Sequence, residues 1–183
     1  MSSFYSREEL NGLGFAHVGE NVLISKKASI YGAQNITIGN NVRIDDFVIL
    51  SGKITIGDYV HIAAYAALFA GDAGIELHDF TGVSSRVTIY AISDDYSGEA
   101  MTNPMVPDEV RNVIKGKVVL KKHALIGASS LVLPGVTFEE GAATGACSLI
   151  TKSCDEWSLY VGTPAKKIKD RSRKILELEK EYF

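Results

Sequence analysis

The feature that most constrains the fold is a repeat in which an aliphatic residue returns at every sixth position. The repeat runs in four stretches, which are separated by slips of two and three residues and then by one long interruption. Its eighteen positions are Val18, Ile24, Ile30, Ile38, Ile44, Leu50, Ile56, Ile62, Leu68, Leu77, Val83, Ile89, Leu120, Ile126, Val132, Phe138, Thr144 and Ile150. Sixteen of them are Val, Ile or Leu, although these residue types make up only about a quarter of typical sequences.

A period of six matches neither the 3.6 residues of an α-helix nor the two residues of a simple strand. It matches a coil of three short strands joined by tight corners, so that three sixes make one turn of about eighteen residues. The corner sequences GEN, GNN and GDY contain residues that accept tight or left-handed backbone. The sequence therefore predicts a mainly β fold, a parallel β-helix of about six coils whose repeat positions point inward.

Two flanking segments lack the repeat. Ser6 and Glu9 have the spacing of a capping box, which predicts a short helix within an N-terminal cap over residues 1–17. The β-helix is predicted over residues 18–164. The following segment 165–183, AKKIKDRSRKILELEKEYF, is rich in helix formers and predicts a C-terminal helix. Both flanking helices would cover open edges of the β-helix.

Composition excludes several classes of function. The 19 Lys and Arg against 22 Asp and Glu give a net charge of −3, which provides no basic field for nucleic acid. Apolar runs stay well short of the roughly 18 residues of a membrane span, and the start MSSFYSREEL lacks a signal-peptide segment. Cys147 and Cys154 are too few for a disulfide scaffold and have no histidine at zinc spacing. We expect a cytoplasmic protein without metal.

Functional residues are expected where the repeat breaks, because the backbone projects side chains outward there. Between Leu68 and Leu77, two glycines around Asp72 let the chain bulge and expose that carboxylate. Between Ile89 and Leu120 the chain inserts 25 residues, which predicts a projecting loop over residues 91–117. An insertion of this length without a helical or strand pattern favours a functional arm over a simple connection.

The repeat and its interruptions resemble the hexapeptide-repeat acyltransferases, whose fold is a left-handed parallel β-helix. The place and length of the arm are similar to those of the galactoside and maltose acetyltransferases. The run VVLKKHALIGASSLVLPGVTFEEGAATGACSLITKS, followed by YVGTPAKKI, resembles the acetyl-CoA half of those enzymes. The resemblance implies an acetyl-CoA-dependent acyltransferase that forms a homotrimer, with coenzyme A in the groove between two neighbouring prisms.

The resemblance also implies roles for six residues on the coenzyme side. Ala128 and Ala146 line the track of the pantetheine arm, which needs small residues. Thr151 and Lys152 meet the coenzyme near the last coil, and Lys166 and Lys169 face its phosphates. Without the resemblance, corner packing is the better explanation of the two alanines. A solvated helix face explains the lysines as well as a coenzyme contact does.

On the acceptor side, Asp72 matches a family carboxylate that binds the sugar. The family histidine that acts as general base at the start of the arm is replaced by Asp94, beside Asp95. An ordinary aspartate, with a pKa of about 3.9, is a poorer base for a hydroxyl than a histidine at about 6.5. Three alternatives remain open: a raised pKa in the Asp94–Asp95 pair, His61 as the base, or an amine acceptor that needs little help.

We therefore expect an acetyltransferase that acts on a sugar hydroxyl, in polysaccharide or cell-surface glycan metabolism. The alternative is an N-acetyltransferase of a nucleotide-linked amino sugar, as some enzymes of this fold are. A non-catalytic structural β-helix needs neither the arm nor the lysine-rich final segment. The zinc carbonic anhydrase of this fold needs three histidines with two close in sequence, unlike His17, His61, His78 and His123.

Overall fold

The computed structural model describes residues 3–183. Short 3-10 turns lie at Ala33–Asn35 and Asp108–Val110. In chain order the helices and strands are α1 (Arg7–Gly12), β1 (His17–Val18), β2 (Leu23–Ile24), β3 (Ser29–Tyr31), β4 (Ile36–Ile38), β5 (Arg43–Ile44), β6 (Ile49–Ile56), β7 (His61–Ile62), β8 (Ala67–Leu77), β9 (Gly82–Val83), β10 (Thr88–Tyr90), β11 (Ile92–Asp94), β12 (Val113–Lys115), β13 (Val118–Leu120), β14 (Leu125–Ile126), β15 (Leu131–Val132), β16 (Thr137–Phe138), β17 (Ala143–Thr144), β18 (Leu149–Ile150), β19 (Ser158–Val161), β20 (Lys166–Asp170) and α2 (Ile175–Tyr182).

The strands wind into six coils and stack in parallel register as a three-sided prism. Face 1 contains β1, β4, β13, β16 and the second halves of β6 and β8. Face 2 contains β2, β5, β7, β9, β14, β17 and β19. Face 3 contains β3, β10, β15, β18 and the first halves of β6 and β8. We call the corners edge 1–2, edge 2–3 and edge 3–1, after the faces that they join.

The inward columns are the repeat positions, as predicted. Sixteen of the eighteen are buried, and only Val18 and Ile30 of the first coil are half-buried. Burying one such aliphatic side chain contributes about 1.5–3 kcal/mol, so the stacked columns are the main source of stability. The predicted mainly β solenoid of six coils is confirmed.

The N-terminal cap forms as the sequence predicts. Ser6 accepts from the Glu9 N–H at 3.2 Å, and the Glu9 carboxylate accepts from the Ser6 N–H at 2.7 Å. The guanidinium of Arg7 donates to the Val18 carbonyl at 3.0 Å, and Leu10 is buried against the core. Helix α1 therefore lies against the first coil.

The C-terminal segment differs from the continuous helix predicted over residues 165–183. Its first part is β20, which pairs antiparallel with β19, the last strand of face 2. The unpaired backbone of β19 offers hydrogen bonds that the sequence KKIKD takes up despite its helix-forming composition. Helix formation is thus delayed until Ile175. Neither helix of residues 3–183 has the length and hydropathy of a membrane span.

The arm over residues 91–117 has a two-stranded stem. β11 and β12 pair antiparallel, with Asp94 opposite Val113. The root of the stem packs on the coil below at Gly71, where an added Cβ would lie 2.7 Å from Cγ2 of Ile92. This contact requires glycine there, and the positive φ of +52° favours it.

Candidate active site

A strip of small residues runs along edge 2–3 in the upper coils. The corner pairs are Ser84–Ser85 in coil 4, Gly127–Ala128 in coil 5 and Gly145–Ala146 in coil 6. A Cβ on Gly127 would lie 2.5 Å from the Gly145 carbonyl carbon, so these two corners stack as closely as they do only because residue 127 is glycine. The strip leaves room for a thin ligand against the backbone.

The amides of this strip are open to a ligand. The N–H groups of Ala128 and Ala146 donate no hydrogen bond to another described residue, whereas those of Gly127 and Gly145 continue the coil ladder. Ala146 is exposed and Ala128 is half-buried. The geometry therefore fits the predicted pantetheine track, with spare donors beside it.

The other predicted coenzyme residues lie in two further places. Lys166 and Lys169 are exposed on β20 and form no ion pair among the described residues, whereas their neighbour Lys167 pairs with Asp170 at 2.9 Å. Thr151 and Lys152 are exposed at edge 3–1. The six residues thus do not share one edge of one chain.

Asp94 and Asp95 have different surroundings. The half-buried carboxylate of Asp94 forms no hydrogen bond or ion pair with the rest of the described chain. The carboxylate of Asp95 accepts from the Ser97 N–H at 2.7 Å and from Asn112 Nδ2 at 2.8 Å. These hydrogen bonds hold the pKa of Asp95 below its usual range, which is opposite to the shift that a base requires.

His61 is held by a carboxylate that the sequence analysis did not single out. Its Nε2 lies 2.8 Å from Asp45, which also accepts from Nε of Arg43 at 2.7 Å. Burial would raise the pKa of Asp45, but the hydrogen bonds from His61 and Arg43 outweigh it and the pKa is lowered. Because Asp45 lies in coil 2, this contact directs the His61 ring away from Ser84 in coil 4.

Asp72 lies at the root of the arm, on edge 3–1. Its carboxylate is 2.7 Å from Nζ of Lys115 on β12, and both side chains are exposed. The hydrogen bond from Lys115 lowers the pKa of Asp72. Asp72, the residue predicted to bind the acceptor, is thus in an ion pair that joins the bulge of coil 3 to the arm.

The candidate residues fall into two half-sites on opposite edges of face 3. His61, Ser84, Ala128 and Ala146 lie at or beside edge 2–3, and Asp72, Asp94, Thr151 and Lys152 lie at edge 3–1. Face 3 between them carries half-buried apolar side chains, among them Ile49, Phe69, Tyr90, Leu131 and Leu149. Among residues 3–183 no cluster of His, Cys, Asp and Glu has the arrangement of a metal site.

A stacked parallel prism with a bare glycine–alanine edge and one projecting arm is the architecture of a hexapeptide-repeat transferase. The family profile described as "Bacterial transferase hexapeptide (six repeats)" matches residues 35–70. The dTDP-4-amino-4,6-dideoxy-D-glucose acyltransferase of Escherichia coli is 50% identical over 174 residues, which cover 93% of this chain and 90% of that protein. The chain belongs to the hexapeptide-repeat acyltransferase family and is an acyltransferase.

Solved structures agree with this assignment. An N-acyltransferase from Bacillus cereus, solved with dTDP-4-amino-4,6-dideoxyglucose and coenzyme A, is 58% identical and superimposes with a TM-score of 0.97, covering 100% of this chain and 97% of that one. A hexapeptide-repeat acetyltransferase from Vibrio cholerae, solved with acetyl-coenzyme A, is 17% identical with a TM-score of 0.66 over 91% of this chain and 76% of that one, and shares the fold.

These relatives favour the alternative in the sequence analysis over its main expectation. The sequence favoured transfer to a sugar hydroxyl, because the arm resembles that of the sugar O-acetyltransferases. The relatives with 50% and 58% identity act on, or were solved with, a nucleotide-linked amino sugar. The replacement of the family histidine by Asp94 was the signal in the sequence that pointed to the amine.

Proposed function

We propose that this enzyme transfers an acyl group from a coenzyme A thioester to the amino group of a dTDP-linked 4-amino-4,6-dideoxy sugar. The observation that carries the proposal is the 58% identity, over the whole chain, to an N-acyltransferase solved with such a sugar and coenzyme A. Solved forms of that enzyme include variants of an aspartate numbered 94 and a serine numbered 84. This chain carries Asp94 and Ser84 at those numbers.

The reaction does not require a strong general base. The neutral amine attacks the thioester carbonyl, a C–N bond forms, the C–S bond breaks, and coenzyme A leaves as a thiol after it takes up a proton. An amine is nucleophilic enough for this step, and its nitrogen becomes strongly acidic once it is bonded to the carbonyl carbon. A carboxylate is sufficient to accept that proton.

Asp94 is the carboxylate that we assign to this task. It lies on the arm and has no partner within the described chain, so it is available to accept hydrogen bonds from the acceptor amine. Asp95 is occupied by Ser97 and Asn112, and His61 is held by Asp45. We assign the free N–H of Ala128, on the strip, to stabilise the oxyanion of the tetrahedral intermediate.

The complete site needs two copies of the chain. Ala128 and Ala146 on edge 2–3 and Asp94 on edge 3–1 are separated by face 3 of the same prism. A second copy that packs its edge 3–1 against edge 2–3 brings them together, and the apolar outer side of face 3 suits such contact. A closed ring of three copies repeats this contact three times and leaves none open. We therefore assign a homotrimer, with Thr151, Lys152 and Asp72 contributed across the groove.

The two cysteines are free thiols, which suits a reducing compartment, and we place the enzyme in the cytoplasm. The strip of small residues does not determine which acyl group is transferred. The Bacillus cereus enzyme was also solved with 3-hydroxybutyryl-CoA, so donors longer than acetyl belong in the assay.

The test is an acyl-transfer assay that follows product mass. We expect the enzyme to acylate dTDP-4-amino-4,6-dideoxyglucose with acetyl-CoA or 3-hydroxybutyryl-CoA, with a product that resists mild alkaline ester hydrolysis. dTDP-glucose, which carries only hydroxyl groups, serves as the matched acceptor. Ester formation on dTDP-glucose, or no turnover of the amino sugar with either donor, would contradict the proposal.

A further inference from the structure

Two serines are buried behind the strip of small residues. Ser130 in coil 5 and Ser148 in coil 6 occupy equivalent corner positions, and they are 1% and 2% exposed. The same position in coils 2, 3 and 4 holds a fully buried aliphatic side chain, namely Val48, Ala66 and Val87. A hydroxyl thus replaces the aliphatic side chain in the two coils that carry the glycine–alanine corners.

Both hydroxyls bind the same backbone carbonyl. Ser148 Oγ donates to the Gly145 carbonyl oxygen at 2.9 Å, and Ser130 Oγ donates to it at 3.1 Å. Ser130 Oγ in turn accepts from the Ser148 N–H at 3.1 Å, and Ser148 Oγ accepts from the Gly162 N–H at 3.3 Å. Each buried hydroxyl therefore has a donor and an acceptor partner, and the network is centred on one peptide group.

The corner of coil 6 differs in this respect from the corners below it. In coils 3 and 4 the corner carbonyls of Ala63 and Ser84 accept from the backbone N–H three residues further on, at 3.2 and 3.3 Å. In coil 6 the corresponding N–H, that of Ser148, donates to Ser130 instead. The Gly145 carbonyl is therefore held by side chains where its equivalents are held by the backbone.

The orientation of this carbonyl determines the direction of the free amide beside it. The peptide between Gly145 and Ala146 is planar and trans, so its N–H points opposite to its C=O. Because the carbonyl points to buried hydroxyls, the Ala146 N–H points outward over the strip, where it has no acceptor in the described chain. Two hydrogen bonds to the carbonyl also polarise the peptide and strengthen its N–H as a donor.

We propose that Ser130 and Ser148 are positioning residues for the acyl donor, because they hold the Gly145–Ala146 peptide so that its N–H donates to an amide carbonyl of the pantetheine arm. Neither serine touches the donor, since both lie beneath the strip. The arm does not change during the reaction, so this contact contributes to donor binding and not to the rate of the chemical step. The inference rests on the proposed function, since it takes the acyl donor to lie along the strip.

The test compares Ser148→Val with Ser148→Thr in the full chain. Valine and threonine have nearly the same shape, and Val48 and Val87 show that a β-branched side chain fits the equivalent position, so the two variants differ mainly in the hydroxyl. We expect Ser148→Val to raise the KM for the acyl-CoA donor about 5-fold or more, and Ser148→Thr to keep it within about 2-fold of the wild type. In both variants kcat and the KM for the amino sugar should stay within about 2-fold, a split that general loss of folding does not produce.

Thr81→Val is the matched control, because the Thr81 hydroxyl is also buried and donates to the carbonyl three residues back, that of His78 at 2.9 Å, but on edge 1–2. It should leave the donor KM within about 2-fold of the wild type. Ser130→Ala, a change to the residue found at Ala66, removes the other hydroxyl and should raise the donor KM about 3-fold or more.

The outcomes separate this inference from the proposed function. Equal donor KM values in Ser148→Val and Ser148→Thr, with the wild type acylating the amino sugar, would overturn the inference alone. A fall in kcat at unchanged donor KM would overturn it too, since the N–H would then act on the transition state. A wild type that does not acylate the amino sugar with either donor would overturn both.

Discussion

Asp94 and Asp95 are adjacent, yet only one is available for chemistry. We expect Asp94→Asn to lower kcat about 100-fold or more, because it removes the carboxylate that we assign to accept the proton. Asp95→Asn is the matched control and should lower kcat by no more than about 5-fold, since that carboxylate binds Ser97 and Asn112 within the arm. Steady-state kinetics on both variants, with circular dichroism to verify folding, makes the comparison.

The variant His61→Ala tests whether His61, the remaining candidate, is the general base. Because the His61 ring is hydrogen-bonded to Asp45, we expect His61→Ala to lower kcat much less than Asp94→Asn does. Near-complete loss of kcat in His61→Ala, together with an active Asp94→Asn enzyme, would assign the proton transfer to His61 instead.

Cys147 offers a direct probe of the coenzyme track, because it follows Ala146 at the corner of coil 6 and is exposed. Burial raises the pKa of Cys154 to about 12, so that thiol stays protonated and inert at pH 8. We expect iodoacetamide to modify one cysteine, Cys147, as identified by mass spectrometry of peptides. Saturating acetyl-CoA should slow this modification about 10-fold or more; an unchanged rate would place the coenzyme elsewhere.

The Asp72–Lys115 ion pair joins the arm to the prism. A double-mutant cycle separates two roles for Asp72: anchoring the arm and binding the acceptor. If Asp72 acts by anchoring the arm, Asp72→Asn and Lys115→Gln should raise the acceptor KM by similar factors, and the double variant should be no worse than either. If Asp72 binds the acceptor directly, as the sequence resemblance implies, the Asp72→Asn effect persists in the Lys115→Gln background. We expect a persistent effect of about 5-fold or more, measured by a double-mutant cycle on KM.

Helix α2 is attached to edge 1–2 through Glu179, which contacts Lys122 and lies 2.8 Å from Nε2 of His123. Hydrogen bonds from Lys122 and His123 lower the pKa of Glu179 below its ordinary value of 4.5. Its contribution to stability is therefore fully present above pH 4.5 and is lost as the pH falls through the lowered pKa.

For this attachment we expect Glu179→Gln to lower the Tm by about 2–4 °C at pH 7. The difference should shrink as the pH falls below 4.5 and through the lowered pKa of Glu179, because the wild-type carboxylate then becomes protonated as well. Glu177→Gln, two residues before Glu179 and exposed on the same helix, is the control and should leave the Tm unchanged. A Tm difference that is constant with pH would show that the charge of Glu179 is not what holds the helix.

The elements that the sequence did not predict are those formed by pairing rather than by pattern. β20 has the composition of a helix, and it is a strand only because β19 leaves an open edge beside it. The stem of the arm consists of two three-residue strands 18 residues apart in the chain, Ile92–Asp94 and Val113–Lys115, too short to show an alternating pattern. Both are therefore determined by a pairing partner and not by their own sequence pattern.

Over the whole molecule, the fold was predictable because the inward position recurs at a fixed interval and must be aliphatic. Outward corner positions carry no such constraint, so the roles of Asp45 and Ser84 left no signal in the sequence. Counting residues from the repeat does place them on one edge, since Asp45 and Ser84 each follow an inward residue of face 2, at Ile44 and Val83. The contact between Asp45 and His61 becomes visible only once coils 2 and 3 are stacked.

The same stacking places the half-sites on opposite edges of face 3, so the central claim is that one active site is built from two copies of the chain.

Subunit mixing tests this claim most directly. Asp94→Asn leaves edge 2–3 intact, and Ala146→Trp blocks the coenzyme track while leaving the arm intact, so each homotrimer should be nearly inactive. In a mixed trimer one of the three grooves combines the intact edge of one copy with the intact arm of the next, which predicts about one third of wild-type activity per mixed trimer. Refolding the two variants together and assaying amino-sugar acylation should restore activity well above either parent. Activity that stays at the level of the parents, in mixed trimers verified by mass spectrometry, would contradict a site shared between copies.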